Sequence, residues 1–384
     1  MTILFSALDT VETDGIHYFS NEIQASLNRY KHCCDQIVCL AHSKETDTPT
    51  SDPIDMNGVE FIFIHKINSL QSFLSEERLN GELVRMAISK SDACIIHVYS
   101  THAAMVLKYA KRMNKPCINV VVGDPWDSYW NYSLTGKLMA PFAYCSLKKM
   151  QRQAWHSIYV TNRYLQQRYP TKGYSIACSN VDMKTGDEQQ LERRLAGIDS
   201  KLYEKIRIGT LAALNVRYKG QEYVIRAIKV LKDQGLNRFE YHLAGKGDAS
   251  FLRSLVKRLG LNDEIVIHGA IPHAQVAEFL DETDVYIQPS KQEGLPRALI
   301  EAMSRGCLCL GSRTAGIPEL LDKNYIFEKG DVKRIAKLLA SISKDNFREE
   351  AKRNFEEAKK YDKAILNKRR EDFLNSIFPN IVAL

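Results

Sequence analysis

The feature that most constrains the fold is a regular alternation of short apolar runs with amphipathic helical patterns from residue 206 onward. Runs such as IRIGTLA, FEYHLAG and VYIQPS have the length and apolar character of buried strands, and segments such as EYVIRAIKVLKDQG separate them. Buried strands that alternate with amphipathic helices form β-α-β units on a parallel sheet. Pro289 predicts the end of one strand, and glycines at 235, 260 and 306 predict the ends of three helices.

The first half of the chain repeats this pattern less regularly, through runs such as TILFSAL, QIVCLA, CIIHVYS and CINVVVG. The polar segment NVDMKTGDEQQLERRLAGID then separates the two halves. We therefore predict an α/β protein with two Rossmann-like domains that face each other across a cleft. The N-terminal domain covers residues 1–180, the C-terminal domain covers 181–361, and a final helix over 362–384 packs back. Ligands of such folds bind beyond the carboxyl ends of the strands.

Composition excludes several classes of protein. Hydrophobic residues make up 45% of the 384 residues and charged residues 26%, which is typical of a soluble globular protein. No apolar run reaches the roughly 18 residues of a membrane span, and the start MTILFSALDT lacks the features of a signal peptide. The nine cysteines form no Cys-x-x-Cys pair, so we expect reduced thiols in a cytoplasmic protein without a metal site.

The net charge of +7 does not require a nucleic-acid partner, and no nucleic-acid motif is present. The basic excess is uneven, because residues 121–180 hold seven lysines and arginines but only Asp124 and Asp127 as acids. Two interpretations of the basic region 137–156 stay open. It is either a surface that attracts a phosphate or the inner face of the membrane, or a solvated helix face without a partner.

A nicotinamide-type dinucleotide site is disfavoured by the sequence. The fingerprint G-x-G-x-x-G is absent from both halves, and AGKGD at 244–248 has only two of its glycines. That fingerprint is needed for a tight turn and a close approach of the backbone to the pyrophosphate. A dehydrogenase is therefore not expected.

Two glutamates, Glu293 and Glu301, frame the start of a helix in the stretch IQPSKQEGLPRALIEAMSRG. Pro296 suits the first helical position, and the unpaired N–H groups of Arg297 and Ala298 make an anion site. Glu301 lies one turn further on the same face, where it can accept hydrogen bonds from ribose hydroxyls. Glu293 then stands on the far side of the phosphates, beside whatever sugar they carry.

This stretch, followed by AGIPELL at 315–321, resembles the retaining family-4 glycosyltransferases, which have the GT-B fold. RYKGQEYVIRAI at 217–228 looks like the family's Lys-Gly helix opening, and GKGD and IHGAIPH resemble its next two strand ends. The order and spacing of these blocks match across residues 205–322. The segments GLPRALIEAM and RYKGQEYVI resemble the corresponding segments of bacterial enzymes of capsule and O-antigen assembly.

We expect a cytoplasmic protein, with a place at the inner face of the membrane left open by the basic region, and the resemblance implies that it is an enzyme. It would transfer a hexose-type sugar from a nucleotide-diphosphate donor to a saccharide or lipid-linked saccharide, with retention of configuration. The N-terminal domain would lie on the acceptor side, and the C-terminal domain would bind the nucleotide sugar. The family needs no metal cofactor, and this sequence also lacks the Asp-x-Asp signature of a metal-dependent glycosyltransferase.

The resemblance also implies roles for single residues. Lys219 matches the family's phosphate-contacting lysine, and the backbone at Ile271 matches its base-contacting strand end. Gly15 matches the donor-diphosphate loop that opens a helix, where only a bare backbone comes close to the phosphates. The expected donor contacts near the second glutamate are Leu295, Pro296, Arg297 and Ala298.

The sequence departs from the family at two positions. The arginine expected after the first strand of the second domain is replaced by the run Gly-Thr-Leu at 209–211. Arg217 is a candidate substitute, since residues two apart in an extended loop point the same way as Lys219, and the alternative is a surface side chain. The family's histidine near the donor sugar is also missing, and Asp124 or Asp127 is the nearest polar candidate.

The aromatic residues of PWDSYWNY, at 125–132, have two interpretations. They either stack on sugar faces or pack the edge of their own domain.

Two other functions stay open at this point. One is a sugar-nucleotide epimerase of the same fold, which would release nucleotide without an acceptor. The other is a degenerate member that binds a sugar nucleotide as a regulator. The presence of Lys219, Glu293 and Glu301 argues against a degenerate site.

Overall fold

The computed structural model describes residues 1–66, 70–201 and 203–378. The chain divides into two compact units. The first comprises Met1–Pro125, Phe142–Cys178 and the chain from Asn367 onward, and the second comprises Trp126–Pro141 and Ser179–Leu366. The segment Trp126–Pro141, which we expected in the N-terminal domain, therefore groups with the second unit.

The first unit is built on a mainly parallel sheet with helices between its strands. The elements up to residue 178 are β1 (Thr2–Thr13), β2 (Tyr18–Phe19), α1 (Asn21–Asn28), β3 (Gln36–Glu45), β4 (Val59–Phe63), α2 (Leu70–Ser89), β5 (Ala93–Val98), α3 (Thr101–Arg112), β6 (Cys117–Val121), α4 (Pro125–Trp130), α5 (Leu134–Gln153), β7 (His156–Tyr159), α6 (Tyr164–Arg168) and β8 (Tyr174–Ala177). The strand order is β4-β3-β1-β5-β6-β7-β8, and β2 pairs with β1 in the antiparallel sense.

The second unit contains a parallel sheet with the order β11-β10-β9-β12-β13-β14. The elements after residue 178 are α7 (Glu188–Ser200), β9 (Ile206–Leu211), α8 (Gln221–Asp233), β10 (Phe239–Ala244), α9 (Ser250–Leu259), β11 (Ile265–Gly269), α10 (Val276–Asp281), β12 (Val285–Gln288), α11 (Arg297–Ser304), β13 (Leu308–Ser312), α12 (Ile317–Leu320), β14 (Ile326–Phe327), α13 (Val332–Ala340), α14 (Lys344–Lys359) and α15 (Lys363–Ile377). Its central strands are buried on both faces, as Tyr286 and Ile287 illustrate: they are neighbours in β12, point to opposite faces and are both fully buried. This explains their continuous apolar sequences.

Each sheet reverses its strand order once, as in doubly wound Rossmann folds. In the first unit the reversal lies between β1 and β5, and in the second it lies between β9 and β12. Ligands of open α/β sheets bind beyond the carboxyl ends of the strands at such a switch point. In the second unit, the loops that follow β9 and β12 therefore mark the place to look for a site.

Two expectations about local structure are corrected. Gly15 does not open a helix, because β1 extends to Thr13 and the chain turns at Gly15, with φ 90°, to pair β2 antiparallel with β1. Helix α1 begins only at Asn21, where the Ser20 side chain caps it. Pro296 is the N-cap residue of α11 and Arg297 is its first helical residue, one position later than the sequence suggested.

Among the residues that the structure describes, no helix is both long and apolar enough to cross a membrane.

Candidate active site

The loops after β9 and β12 bring an oppositely charged pair together at the switch point of the second sheet. The ammonium of Lys219 lies 2.7 Å from the Oε1 atom of Glu293. Their side chains are only 20% and 10% exposed, respectively. The residues are 74 positions apart in sequence, so the sheet topology creates this contact. Two residues that the sequence assigned to one ligand are therefore direct neighbours.

A buried polar relay supports Glu293 from the strand behind it. The amide of Gln288 donates hydrogen bonds to Glu293 Oε1 at 3.0 Å and to Ser290 Oγ at 2.9 Å. The Tyr286 hydroxyl in turn donates to Gln288 Oε1 at 3.0 Å. Burial raises the pKa of Tyr286 well above its ordinary value, which keeps the phenol protonated as a donor. The relay thus fixes the position of one carboxylate oxygen.

Sequence reasoning missed Tyr286, Gln288 and Ser290. The available signal was a polar residue at the end of an otherwise apolar strand, because Gln288 is 2% exposed within VYIQ. A buried amide must find hydrogen-bond partners, and at the carboxyl end of a strand those partners lie in the ligand region.

A close backbone approach positions the Lys219 turn. Gly220 has φ 75°, and a Cβ atom there would lie 2.1 Å from the carbonyl oxygen of Pro289. The amide of Lys291 also donates to the carbonyl of Tyr218 at 2.7 Å. Only glycine fits position 220, for both steric and conformational reasons. The Lys-Gly pair recognised in the sequence therefore has a mechanical role: it allows the lysine to reach Glu293.

Helix α11 begins directly after the Glu293 loop, and no described side chain caps its start. The amide of Ile300 makes a long bond of 3.4 Å to the carbonyl of Pro296. The preceding amides, at Arg297, Ala298 and Leu299, belong to the first turn and have no intrahelical acceptor. This end of the helix carries partial positive charge and suits an anion.

Glu301 lies on α11, and no described residue donates a hydrogen bond to its carboxylate. Burial raises the pKa of Glu301, while the positive charge of Arg297 and the His273 ring act in the opposite direction. A partly buried carboxylate without donors is costly to keep charged. Hydroxyl donors from a ligand would remove that cost.

The expected extended loop at Arg217 is wrong. Residues Arg217–Lys219 form a turn of 3-10 helix, so side chains two positions apart do not share a direction. Arg217 instead contacts Glu222 at 2.8 Å and packs over the ring of Phe251, with 64% of its side chain exposed. It therefore has different neighbours from Lys219.

The position where the family has its arginine, residue 210, holds a buried threonine that packs within the sheet. The Thr210 hydroxyl is buried, donates to the carbonyl of Ile287 at 2.7 Å and accepts from Tyr241 at 2.9 Å. A Cβ atom on Gly209 would lie 2.7 Å from the Thr283 hydroxyl. Residues 209 and 210 therefore tie β9 to its neighbours and leave little space for a longer side chain.

Asp124 has a structural environment within the first unit. Its carboxylate accepts hydrogen bonds from the hydroxyls of Tyr164, at 2.9 Å, and Tyr169, and it lies 2.5 Å from the Arg168 guanidinium. The Asp124 side chain is fully buried. These partners take up most of the acceptor capacity of a carboxylate, and all of them belong to α6 or directly follow it. The proposed contact between Asp124 and a sugar stays a prediction, and these bonds do not favour it.

The segment around α4 lies beside the Glu293 loop. The Gln292 amide donates to the Ser128 hydroxyl at 2.9 Å, and Lys329 forms an ion pair with Asp127 at 3.1 Å. The rings of Trp126 and Trp130 stack with centroids 5.4 Å apart. The second acidic candidate from the sequence is thus engaged with a lysine, and part of the aromatic cluster packs on itself.

The remaining sequence candidates lie at strand ends. Ile271 follows β11, two residues after Gly269. Gly15 lies in its turn beside Asp14, whose pKa is lowered to about 2, chiefly because the backbone amides of His17 and Ile16 donate to its carboxylate. Near the end of β11, His268 pairs with His242 at 3.0 Å and lies edge-on to Phe279.

Chemically, the second unit presents a lysine, two carboxylates and a helix start that no described side chain caps, within two neighbouring loops and one helix. This set can bind a polyanion that also carries hydroxyl groups. Among the residues described, no group of three His, Cys, Asp or Glu side chains is placed to hold a metal ion.

Comparisons of sequence place this chain among known proteins. Residues 200–361 match the family model of glycosyl transferases group 1. The chain is 30% identical over 357 residues to Protein CapJ of Staphylococcus aureus, which covers 91% of this chain and 88% of that protein. It is also 34% identical over 152 residues to the amylovoran biosynthesis glycosyltransferase AmsK of Erwinia amylovora, 37% of each chain.

Solved structures of low sequence identity share the whole fold. Sucrose-phosphate synthase from Thermosynechococcus elongatus aligns with a TM-score of 0.73 at 12% identity, over 98% of this chain and 99% of that one. HepE of Anabaena, solved in complex with UDP, aligns with a TM-score of 0.68 at 16% identity, over 98% and 100% of the two chains. The expected GT-B fold is confirmed.

Proposed function

The chain belongs to the group 1 glycosyltransferases, and on that premise we propose that it transfers a hexose-type sugar from a nucleotide-diphosphate donor to a saccharide or lipid-linked saccharide. The observation that carries the proposal is the contact between Lys219 and Glu293 at the switch point, directly ahead of the uncapped start of α11. AmsK takes its name from amylovoran biosynthesis. We propose a related setting, the assembly of a surface polysaccharide at the cytoplasmic face of the membrane.

Glu301 would hold the nucleoside end of the donor. Its carboxylate receives no hydrogen bond from a described residue, and burial raises its pKa. Two vicinal ribose hydroxyls would supply two donors to its two oxygens. Hydrogen bonds to the charged form favour that form, so the ligand would offset the cost of burial. The backbone after β11, at Ile271, is the proposed contact for the base.

The diphosphate would rest on the start of α11. The amides of the first turn carry about half a positive charge, and Lys219 adds one full charge. The leaving diphosphate gains negative charge as the glycosidic bond breaks, so both groups bind the transition state more strongly than the ground state. Arg217 contacts Glu222 instead, and we propose no direct phosphate contact for it.

Glu293 would face the donor sugar. Lys219 and Gln288 both bond to its Oε1 atom, and no described residue bonds to Oε2. The Oε2 atom would therefore accept hydrogen bonds from sugar hydroxyls. When a donor binds, Lys219 would turn from Glu293 toward the phosphates, and Gln288 would keep the carboxylate in place.

In the proposed reaction, the bond between the sugar's anomeric carbon and the diphosphate oxygen breaks. The oxygen of the acceptor hydroxyl forms a new bond to that carbon on the same face, and its proton passes to the departing diphosphate, so configuration is retained. The nucleoside diphosphate leaves with the electron pair of the broken bond. Lys219 and the α11 amides would neutralise it, and we therefore propose that no metal ion takes part.

The test begins with donor binding. The protein is heated with a panel of nucleotide sugars, with UDP-glucose first because HepE has been solved with that ligand. A compound that binds the native state raises the melting temperature. We expect a rise with one base and a smaller rise for the Glu301→Ala variant.

The second step adds mixed saccharide and lipid-linked acceptors to the donor that binds, and nucleotide release is measured with EDTA present. Acceptor-dependent release, with an anomeric configuration in the product equal to that in the donor, supports the proposal. Release without any acceptor identifies an epimerase or hydrolase. Binding without release identifies a regulator, and release that EDTA abolishes and magnesium restores contradicts metal independence.

A further inference from the structure

Helix α5 buries one face and leaves the opposite face exposed although it is apolar. The buried face carries Ala140, Ala143, Leu147 and Met150 at helical spacing. The exposed side carries the residues that we call the apolar stripe. These are Leu134, Leu138 and Phe142, which are 80%, 73% and 69% exposed. Their spacing of four places them in one row, and a solvated helix normally has polar residues there.

Aromatic and basic residues lie near the apolar stripe along the chain. Tyr132, which is 85% exposed, directly precedes α5, and Trp130 at the end of α4 is 43% exposed. The ammonium of Lys137 lies 5.6 Å from the centre of the Trp130 ring. Between residues 128 and 181 the sequence contains no aspartate or glutamate. It contains seven basic residues: Lys137, Lys148, Lys149, Arg152, Arg163, Arg168 and Lys172.

The shape and charge of this surface favour a lipid surface over a protein partner. The stripe is a single convex row about 12 Å long. A stable protein interface buries about 800 Å² on each partner, far more than three side chains of one row supply. Tyrosine and tryptophan beside an apolar helix face are typical of the boundary between headgroups and acyl chains. Lysines in a stretch of sequence that contains no acids add attraction to anionic lipids.

We propose that α5 lies along an anionic membrane surface, with the apolar stripe inserted at the acyl boundary and Lys137 and Lys149 among the headgroups. The purpose of this contact rests on the proposed function, because a lipid-linked acceptor lies at a membrane. The contact itself requires neither donor nor acceptor. Of the two interpretations of the basic region 137–156, the proposal selects a surface that binds the membrane and assigns it to α5.

Co-sedimentation with vesicles tests the proposal. The full-length protein is mixed with vesicles of phosphatidylcholine and phosphatidylglycerol, or of phosphatidylcholine alone, without nucleotide sugar. We expect binding to the anionic vesicles that weakens with added salt. Leu134→Glu/Leu138→Glu should bind at least about tenfold more weakly. Leu79→Glu/Met86→Glu is the matched control, because it adds the same charges to two exposed positions of α2 and should bind as wild type does.

A second variant tests the charges separately. Lys137→Gln/Lys149→Gln keeps the apolar stripe, and each lysine lost should weaken binding about fivefold. Melting temperatures, alone and with UDP, monitor the fold and donor binding of every variant. The proposal fails if the wild type stays in the supernatant with anionic vesicles, or if the α5 variants bind as tightly as the control. It also fails if sedimentation velocity shows a wild-type dimer that Leu134→Glu/Leu138→Glu converts to a monomer without loss of vesicle binding.

Discussion

The two sheets share one topology, yet the carboxylate–cation pairs beside them differ in construction. In the first unit, Asp124 is fully buried and is held by Arg168 and two tyrosines that belong to one short stretch of chain. In the second unit, Glu293 is held by Lys219, from the loop after β9, and by Gln288, the last residue of β12. The pair of Asp124 and Arg168 is held by residues close together in sequence, whereas the pair of Glu293 and Lys219 joins the loops on the two sides of a switch point.

This difference indicates that Asp124 and Arg168 form a structural pair, whereas Lys219 and Glu293 can exchange partners. Asp124 receives donors on both oxygens. Glu293 is bonded by described residues through Oε1 alone, and its main partner is a flexible lysine that is 20% exposed. A lysine can move to a phosphate at little cost, whereas the partners of Asp124 come from α6 and the residue after it and hold both of its oxygens. Lys219 and Glu293 should therefore govern catalysis, and Asp124 should govern stability.

The largest expected effect on catalysis comes from Lys219→Ala. Loss of one charge-assisted contact to the transition state costs about 2–4 kcal/mol, so turnover should fall roughly 30- to 1,000-fold. The control is Lys229→Ala, which removes a lysine from an exposed ion pair with Asp233 on α8. Steady-state kinetics with the identified donor checks this. Equal rates for the two variants would remove Lys219 from the site.

Asp124→Asn should mainly affect stability. It leaves the Arg168 guanidinium without its buried counterion, and we expect the free energy of unfolding to fall by about 3 kcal/mol. Donor affinity should stay within twofold of wild type. Chemical denaturation and donor titration are the two measurements, with Asp233→Asn as the exposed control. Wild-type stability combined with weakened donor binding would instead restore the sugar contact that the sequence suggested.

Glu301→Gln and Glu350→Gln should both stabilise the ligand-free protein, but only the first should weaken donor binding. Burial raises the pKa of both carboxyl groups, that of Glu350 to about 7. For an acid whose folded-state pKa is raised, stability is present at low pH and is lost as pH rises through that pKa. Melting temperatures should therefore match wild type near pH 4 and exceed it at pH 8. A rise at pH 4 equal to that at pH 8 would contradict burial as the cause.

Arg217→Ala should have the smallest effect. The Arg217 side chain is 64% exposed and its guanidinium pairs with Glu222. Exposed ion pairs of this kind contribute about 0–1 kcal/mol to the free energy of unfolding. Turnover should fall less than about threefold. Steady-state turnover is measured for Arg217→Ala and Lys219→Ala under the same conditions and compared. A loss similar to that of Lys219→Ala would mean that the turn rearranges on binding and that Arg217 is the second cation.

The sequence predicted the parts of this account that depend on pattern. The β-α alternation predicted the second sheet, and Pro289, Gly260 and Gly306 marked element ends that the structure contains. The family resemblance assigned Lys219 and Glu293 to one donor molecule. Their direct contact could not be predicted, because the order of parallel strands is not written in local periodicity.

The structural predictions that were wrong, at Arg217 and Gly15, have local physical causes. The sequence predicts an extended loop at Arg217 because a 3-10 turn of three residues has no periodic signal. The sequence predicts a helix start at Gly15 because the antiparallel pairing of β2, only two residues long, is too short to recognise in sequence. The Gln288 relay and the clamp around Asp124 depend on side chains from separate segments, and their pairing appears only after folding.

The most direct test of the central claim is to compare Glu301→Ala and Glu293→Ala by donor titration and by turnover. The two carboxylates lie on either side of the proposed diphosphate site, so their loss should separate binding from catalysis. We predict that Glu301→Ala weakens donor binding at least about tenfold, and that Glu293→Ala binds donor nearly as wild type does but turns over at least about a hundredfold more slowly. Wild-type binding and turnover in a Glu293→Ala/Glu301→Ala double variant would contradict the account.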